Sequence, residues 1–265
     1  MRKFIFYFIT FFISILLIFF VDGVNTNIIA IACGVVASIV MNAILYLSVN
    51  FNNIKFLYKS KILYRKEDIR VSISYLFRIK IDGKYLLVKG NRIQQYQPVG
   101  GVYKRYKDSD YIFSKLDVKE DVKIPEDDAK KNDLRVRVKG ENLIDFLNWF
   151  KGATGREISA EREFKEEVLS SGLVNKNAFP YLKYKFIKRI QDEIKFDEHF
   201  QCQQILIADI YELILDDFQL SELTRLVNTE SGIFTLASEL EIDTLGASLD
   251  GKARIPISRT SKWIV

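Results

Sequence analysis

An α+β sandwich behind a two-helix transmembrane hairpin is the fold that this 265-residue sequence predicts. Two observations support the prediction. Charged residues make up 28% of the chain, yet almost none fall in the first fifty positions, so the apolar start and the remaining ~200 residues read as separate units. In that remainder, strand and helix patterns follow one another without the βαβ regularity of a doubly wound sheet.

Two apolar segments predict the hairpin. Residues 4–21 form an uninterrupted apolar run, and a second apolar stretch covers residues 28–49. The first run rises about 27 Å as a helix, close to the ~30 Å thickness of the hydrocarbon core. A cleaved signal peptide is one alternative, since Arg2 and Lys3 precede the run, although no A-x-A pattern ends it. A buried helical hairpin is the other.

Basic residues on both sides of the apolar region predict its orientation. They precede the first span and follow the second, at Arg2, Lys3, Lys55, Lys59, Lys61, Arg65 and Lys66. The connecting turn carries only Asp22, so the positive-inside rule places both termini and the following domain in the cytoplasm. The basic segment 51–70 is expected to be an interfacial linker at headgroup level, with an electrostatic regulatory role as the alternative.

The second apolar stretch has one face of small and polar side chains. Ala30, Gly34, Ser38 and Asn42 recur at intervals of four, which places them on one stripe of a helix. Small residues let helices approach closely, and an asparagine can bond across the contact. Two interpretations stay open: the stripe packs the two spans of one chain together, or it drives self-association of several hairpins.

The remaining chain predicts a cytoplasmic domain over residues 71–265. Asp82 and Gly83, between two apolar runs, predict a β-hairpin. The strands are expected at residues 72–81, 84–88, 96–102, 134–138, 181–190 and 203–211. The helices are expected at residues 142–150, 159–169 and 221–227.

Composition and motif content exclude several classes of protein. The 20 Phe and 13 Tyr residues, with only 4 Pro, exclude a disordered or collagen-like chain. Cys33 and Cys202 cannot build a disulfide framework or a Cys-rich zinc site, and the single histidine, His199, removes the HExxH metalloproteases. Neither GxxxxGK[ST] nor GxGxxG occurs. Any metal would therefore be held by carboxylates.

Three carboxylates on one helix indicate the chemistry. Glu163, Glu166 and Glu167 are related by i, i+3 and i+4, so they project from one face. Such like charges repel one another unless a hard divalent cation, Mg²⁺ or Mn²⁺, binds between them. Arg162 lies beside the cluster and can hold a carboxylate in place. A solvated charged helix is the alternative interpretation.

At these residues the sequence resembles the Nudix family. The family's box reads Gly, five residues, Glu, seven residues, and then Arg-Glu-apolar-x-Glu-Glu-x-Gly-apolar. Residues 162–167, REFKEE, match the second half without a gap. The resemblance implies an α/β/α sandwich in which Glu163, Glu166 and Glu167 ligate Mg²⁺ (or Mn²⁺) and, with Arg162, form the catalytic group of a pyrophosphohydrolase.

Two flanking segments extend the resemblance. Residues 96–101 resemble the strand that leads into the box, and they end in Gly100 and Gly101, which are expected to contact the ligand. Residues 233–240 resemble the aromatic-x-x-leucine segment that often follows the last strand of the family.

The box also departs from the family pattern. About fifty residues separate Gly101 from its second half, which predicts an insertion at about 103–155. The position eight before Arg162 is Thr154 rather than glutamate, and Gly172 arrives three residues late. The residues do not identify a general base; two acidic side chains in the loop 192–199 are candidates, Glu193 and Glu198, whereas His199 is interpreted as structural.

The whole chain resembles one subgroup, the SMODS-associated Nudix effectors. Its two N-terminal spans, the insertion with LRVRV and a Trp-Phe helix, and the Gly155-Arg156-Glu157 segment carry this resemblance. It implies a membrane-tethered effector of cyclic-oligonucleotide-based antiphage signalling (CBASS) in the bacterial inner membrane. The implied partners are a cyclic oligonucleotide from a CD-NTase, the lipid bilayer and further copies of the chain, with no DNA or RNA polymer.

Basic residues of the domain suit a phosphate ligand. Those expected to bind it are Lys183, Lys185 and Arg189, with Lys104, Arg105, Lys107 and Lys188 adding positive field. A solvated basic surface is the plainer interpretation of each. Three functions stay open: a sensor-effector whose hairpins act on the membrane to arrest or kill the infected cell, a membrane-tethered hydrolase that cleaves a nucleoside diphosphate linkage, and a scaffold that binds a protein.

Overall fold

The computed structural model describes residues 11–15, 26–90, 94–121, 132–229, 231–247 and 255–265. It divides the chain into two compact units, Met1–Ile62 and Leu63–Val265. Of the first predicted span, 4–21, only residues 11–15 are described, and they are helical. The remainder of that span, and with it the turn of the predicted hairpin, lies outside the described residues.

The N-terminal unit is dominated by one long helix, α1 (Thr26–Tyr58), which a π-helical turn, Lys59–Leu63, extends. Among the described residues, one helical stretch is long and apolar enough to cross a membrane, Ala30–Leu63, and its apolar window is almost entirely unburied. The segment predicted as a linker, 51–70, is therefore helical as far as Leu63. The helix alone rises about 50 Å, more than the ~30 Å of a hydrocarbon core.

Polar side chains on α1 bond to their own helix. The Ser38 hydroxyl donates to the Gly34 carbonyl and the Asn42 amide donates to the Ser38 carbonyl, both at 2.9 Å. Each of these i to i−4 bonds uses one donor of the side chain within its own helix. The Oδ1 of Asn42 and its second amide hydrogen take no part in the bond to Ser38. A Cβ placed on Gly34 would meet nothing within 4 Å, so the small-residue face of the helix is open.

The second unit is built on a mixed seven-stranded sheet. Its main order is β6-β7-β1-β10-β8, with β5 paired to β1 and β9 paired to β10. The strands are β1 (Asp68–Arg78), β5 (Gly100–Val102), β6 (Lys119–Glu120), β7 (Arg135–Lys139), β8 (Tyr184–Gln191), β9 (Lys195–Asp197) and β10 (Cys202–Leu213). The central pair, β1 and β10, is parallel, with Arg70 opposite Gln204 and Arg78 opposite Glu212.

A smaller four-stranded sheet lies beside it. Its order is β11-β3-β2, with β4 also paired to β3, and the strands are β2 (Lys80–Ile81), β3 (Lys84–Lys89), β4 (Tyr96–Pro98) and β11 (Phe234–Ala237). The predicted hairpin at Asp82-Gly83 is confirmed, with both residues at positive φ. One apolar core joins the two sheets through Leu76, Ala208 and Ile210 of the large sheet and Tyr85, Leu87 and Ala237 of the small one.

Short helices complete the domain. They are α2 (Asp110–Lys115), α3 (Gly140–Lys151), α4 (Glu161–Phe164, continued by a π-helical turn over Lys165–Leu169), α5 (Asp217–Thr224) and α6 (Glu239–Asp243). The predicted helix at 221–227 begins earlier because Asp216 forms a capping box with Gln219. Helix α3 buries the predicted apolar face, including Leu143, Phe146 and Phe150. The class of the structure is α+β, as predicted.

Two predicted strands are each divided between the sheets. The strand expected at 72–81 breaks after Arg78, and the strand expected at 96–102 breaks between Pro98 and Gly100. Gly100 has a φ of 145°, and this backbone turns the chain from the small sheet to the large one. The predicted insertion contributes β6 and β7 to the large sheet, so it is integral to the core rather than peripheral.

Candidate active site

The acidic helix is anchored by one aromatic side chain. Phe164 at the end of α4 is fully buried, with its ring 5.8 Å from Phe77 of β1 and 5.5 Å from Phe179. Beyond it the chain widens into the π-helical turn that carries Glu166 and Glu167. Such turns often occur at functional sites because they re-aim side chains within a helix.

Arg162 ties the start of this helix to two other elements. Its guanidinium donates to the carbonyl of Val102 in β5 at 2.9 Å and to the carboxylate of Glu157, through Nε, at 3.1 Å. A third bond, from Nη1 to Oε1 of Glu163, measures 2.5 Å. Although burial lowers its pKa, the bonds to Glu157 and the charge of Glu163 raise the pKa of Arg162 above its usual range. The side chain is therefore a fixed cation.

Glu157 is the site residue that sequence reasoning missed. It is buried, and besides Arg162 it accepts a hydrogen bond from the backbone N–H of Lys104 at 3.2 Å. It lies five residues before Arg162, whereas the family spacing pointed to Thr154, whose side chain is exposed and bonds to Gly152. The sequence did contain a signal for this residue. A glutamate lies two residues after Gly155, and the interval from it to Arg162 is three residues shorter than the family's interval between glutamate and arginine. In this domain Glu157 supplies the carboxylate that pairs with Arg162.

Glu163 packs directly on the glycine pair of β5. A Cβ added to Gly101 would lie 2.0 Å from Oε1 of Glu163, so only glycine allows this approach. The backbone N–H of Glu163 also donates to the hydroxyl of the buried Tyr75 at 3.3 Å. Burial raises the pKa of Glu163, while Arg162 opposes that shift.

Glu167 reaches the neighbouring glycine. Its Oε2 accepts a hydrogen bond from the backbone N–H of Gly100 at 2.9 Å. Burial raises the pKa of Glu167 to about 8; the bond from Gly100 opposes the shift, and the charges of Glu163 and Glu166 add to it. Glu166 is the most solvent-exposed of the three, and its carboxylate lies 3.8 Å from Arg162.

The predicted triad thus sits on one side of β5, held by Arg162 and the two glycines. Among the described residues, no three His, Cys, Asp or Glu side chains are close enough together to hold a metal ion as they stand. The donor set nevertheless fits a hard divalent cation, since it offers carboxylate oxygens only. Glu163 and Glu167 also have raised pKa values because burial and mutual repulsion disfavour their charged forms, and a cation would relieve both.

The basic residues predicted to bind the ligand lie elsewhere. Lys183 precedes the edge strand β8, and Lys185 and Arg189 lie in it; β1 and β10 separate β8 from Gly100 and Gly101. Three strand spacings amount to about 14 Å. Lys185 pairs with Glu212 at 2.6 Å, Arg189 pairs with Asp209 at 2.6 Å, and the Lys183 ammonium lies 5.2 Å from the Tyr181 ring. Their role in binding stays a prediction.

The candidates for a general base lie in the loop around β9. Glu193 and Glu198 are exposed there, and His199 is exposed with its ring 4.8 Å from that of Phe200. No contact in the structure assigns any of them a proton-transfer role, so the two glutamates stay predictions.

Glu167→Gln is expected to stabilise the metal-free domain at pH 8. The raised pKa means that, between about 4.5 and 8, the folded state holds a proton that the unfolded state has released. The free energy of unfolding therefore falls as pH rises through this window, and a neutral amide removes the fall, a gain on the order of 1–3 kcal/mol at pH 8. Urea unfolding of both proteins in EDTA at pH 5 and pH 8 measures it.

Added Mg²⁺ should make the wild type more stable than Glu167→Gln at pH 8, the reverse of their order without metal. It is expected to stabilise the wild type at pH 8, where Glu167 is ionised, and to leave Glu167→Gln nearly unchanged. Glu161→Gln is the matched control, because Glu161 lies on the same helix but pairs with Lys165 at 2.8 Å. Equal pH dependence in wild type and Glu167→Gln would contradict the burial of this carboxylate.

Comparison with known families agrees with this geometry. A family model described as the SMODS-associated NUDIX domain matches residues 68–265. The match begins at the first residue of β1 and runs to the last residue of the chain, so it covers both sheets and the acidic helix. No curated protein matches the chain.

Proposed function

The chain belongs to the family of SMODS-associated NUDIX domains, and from this premise we propose that it is the membrane effector of a CBASS antiphage system. Its NUDIX domain senses a cyclic oligonucleotide made by a CD-NTase. Its N-terminal helices form a two-span hairpin in the bacterial inner membrane, self-associate when the ligand binds, and disrupt that membrane to arrest or kill the infected cell.

The observation that carries the proposal is the combination of an intact acidic group with a rebuilt loop. Glu163, Glu166, Glu167 and Arg162 keep the family's pattern, which supports binding of a metal-associated phosphate. The segment just before Arg162 is altered: Glu157, the partner of Arg162 at 3.1 Å, lies five residues before it, whereas the family's glutamate lies eight residues before the arginine. Retained binding groups beside an altered catalytic loop favour a domain that binds its ligand over one selected for turnover.

The membrane part of the proposal rests on α1. The stretch Ala30–Leu63 has the length and composition of a span, and the face with Gly34 is open to close approach by another helix. The basic residues at the C-terminal end of this stretch and just after it, Lys55, Lys59, Lys61, Arg65 and Lys66, favour a cytoplasmic NUDIX domain.

Dye release from vesicles tests the function. The full chain is reconstituted into vesicles of phosphatidylethanolamine and phosphatidylglycerol loaded with carboxyfluorescein, and a panel of cyclic di- and trinucleotides is titrated in Mg²⁺. We expect release with one cyclic oligonucleotide and none with linear AMP or ATP. The nucleotide recovered from the same samples is analysed by chromatography, and it should be intact.

Two results would contradict the sensor-effector function. One is binding of no cyclic oligonucleotide by the full chain. The other is dye release that depends on cleavage, so that a non-hydrolysable analogue binds but releases nothing. Ligand-triggered release with intact nucleotide supports the proposal.

A second function, a membrane-tethered Mg²⁺-dependent NUDIX hydrolase, is favoured by one observation. The half-buried Glu167, with a pKa of about 8, faces the same glycine pair as Glu163, and such perturbed carboxyl groups are typical of active sites. Bound Mg²⁺ would supply charge stabilisation at a diphosphate linkage. Cleavage of a nucleoside diphosphate compound that is lost in Glu167→Gln, while the variant keeps its fold, would establish this function.

Asn42→Leu is expected to weaken self-association of the membrane helices. A hydrogen bond between helices in a bilayer contributes about 0.6–1.7 kcal/mol, so we expect a roughly 3- to 20-fold weaker oligomer and a similar loss of ligand-triggered release. Met41→Leu, one position away on the helix and 57% exposed, is the control. Energy transfer between labelled chains in vesicles measures the association, and an unchanged oligomer would place Asn42 outside the contact.

A further inference from the structure

A buried arginine, Arg156, directly precedes Glu157, the partner of Arg162. Arg156 is only 6% exposed, and its guanidinium stacks 3.8 Å from the centroid of Phe150 in α3 and 5.1 Å from that of Tyr103. Its Nε and Nη1 donate to the backbone carbonyls of Phe150 and Glu157 at 2.8 and 2.6 Å. The side chain is therefore rigidly held by groups that carry no charge.

No carboxylate in the part of the chain that the structure describes forms an ion pair with Arg156. Its Nη2 donates no hydrogen bond to a described residue. Buried charges are normally paired, and an anionic ligand would supply the partner that this guanidinium lacks among the described residues.

A second arginine raises the local charge. Arg189 of β8 lies 4.9 Å from the same Phe150 centroid and is paired in bidentate fashion with Asp209, at 2.6 and 2.8 Å. The Oδ2 atom of Asp209 also accepts a hydrogen bond from the Tyr103 hydroxyl at 3.0 Å. Of the two arginines, Asp209 is therefore bonded to Arg189 alone, although its charge also acts on the nearby Arg156. Burial lowers the pKa of Arg156, and the charge of Arg189 lowers it further.

Aromatic side chains border this charge on the side of the edge strand. The Tyr211 ring lies 5.3 Å from Tyr184 and 5.8 Å from Phe186, and Phe186 is 54% exposed. Nucleobases stack readily on such rings. An inorganic anion would not contact these rings, whereas a nucleotide would place its phosphate at the arginines and stack its base on the rings.

We propose that Arg156, assisted by Arg189, binds a phosphate group of the nucleotide ligand, at a metal-independent site between α3 and β8 bordered by Tyr184, Phe186 and Tyr211. The site deepens the proposed function and rests on it for the identity of the ligand. It also explains how the domain can bind without hydrolysis. A phosphate held at the arginines is anchored by this chain's own cations, through charge-assisted hydrogen bonds that need no metal.

Calorimetric titration in EDTA tests the site, because EDTA removes any contribution of the acidic group. The full chain in detergent is titrated with the cyclic di- and trinucleotide panel, with the linear dinucleotide pApA and with inorganic pyrophosphate. Arg156→Gln should weaken binding by about tenfold or more, since one charged hydrogen-bonding partner is lost. Arg78→Gln, an arginine of β1 paired with Glu212 at 2.8 Å, should bind as the wild type does.

Asp209→Asn keeps the test decisive if Arg156→Gln folds poorly. Removing the Asp209 carboxylate frees the Arg189 guanidinium and takes a negative charge away from Arg156, so anion binding should tighten several-fold even as the free protein loses stability. A purely structural network predicts the loss of stability without tighter binding. Unchanged affinity in both variants, or no binding of any probe by the wild type in EDTA, would overturn the proposal.

The probes separate this inference from the proposed function. Binding of pApA or pyrophosphate at Arg156 without binding of any cyclic oligonucleotide would support the phosphate site and contradict the sensor. Binding of a cyclic oligonucleotide with equal affinity to wild type and Arg156→Gln would support the sensor and place its ligand elsewhere.

Discussion

Gly100→Ala is expected to lower the free energy of unfolding of the NUDIX domain by about 3 kcal/mol or more. The added Cβ would lie 2.2 Å from the backbone carbonyl oxygen of Tyr75, which cannot move without breaking the pairing of β5 with β1. The φ of 145° adds a conformation that alanine rarely adopts. For a domain of this size, the midpoint of thermal unfolding should fall by roughly 10 °C.

Gly101→Ala tests the same strand with a different outcome. Its Cβ would meet the end of the Glu163 side chain at 2.0 Å rather than backbone, so the carboxylate swings aside and the fold survives. We expect Mg²⁺ affinity to fall about tenfold or more, because displaced supporting groups cost 10- to 100-fold at metal sites.

Gly232→Ala is the control for both glycine variants, since a Cβ there would meet nothing within 4 Å. Differential scanning calorimetry and Mg²⁺ titration report the two effects separately. A Gly100→Ala protein as stable as Gly232→Ala would show that β5 does not approach β1 as described, and unaltered Mg²⁺ binding by Gly101→Ala would remove Glu163 from the metal ligands.

Arg162→Gln is also expected to lower the stability of the domain strongly, because Arg162 joins the acidic helix to β5 and to the segment that carries Glu157. It leaves Glu157 without its cation and removes the bond to Val102, so we expect a loss of about 2–4 kcal/mol in the free energy of unfolding. Three carboxylates, Glu157, Glu163 and Glu166, also lose their fixed counter-charge. Mg²⁺ or another cation should therefore rescue more stability in the variant than in the wild type.

A double-mutant cycle isolates the Arg162–Glu157 pair. Glu157→Gln, Arg162→Gln and the double variant are unfolded in urea, and we expect a coupling energy of about 1–3 kcal/mol. Arg225→Gln is the matched control, as the Arg225 side chain is 74% exposed and pairs with Glu222 of α5 at 2.9 Å. A coupling near zero would mean that Glu157 does not replace the carboxylate missing at Thr154.

The acidic group illustrates what sequence alone reaches. The grouping of Glu163, Glu166 and Glu167 on one face follows from the helix repeat, which is a local property. The family resemblance named Gly100 and Gly101 only as ligand contacts, and their approach to the carboxylates came from the structure. The α+β class, the Asp82-Gly83 hairpin and the amphipathic helix over 142–150 depend likewise on neighbours within a few positions. Such features are determined by local periodicity and turn chemistry, so a single amino-acid sequence is enough to predict them.

Long-range pairing is where the prediction stopped. The role of Glu157 as the partner of Arg162 was not predicted from the sequence. Glu157 is held in place by the backbone N–H of Lys104, which lies 53 residues earlier in the chain. The site around Arg156 depends on Phe150, Asp209 and Arg189, which come together only when α3 packs on the sheet and β8 pairs with β10. Local composition determined the helices, the strands and the acidic face of this protein. Tertiary structure alone decided which buried charges meet, because the carboxylates and cations of distant segments are chosen by the packing of the sheet and not by their spacing in the chain.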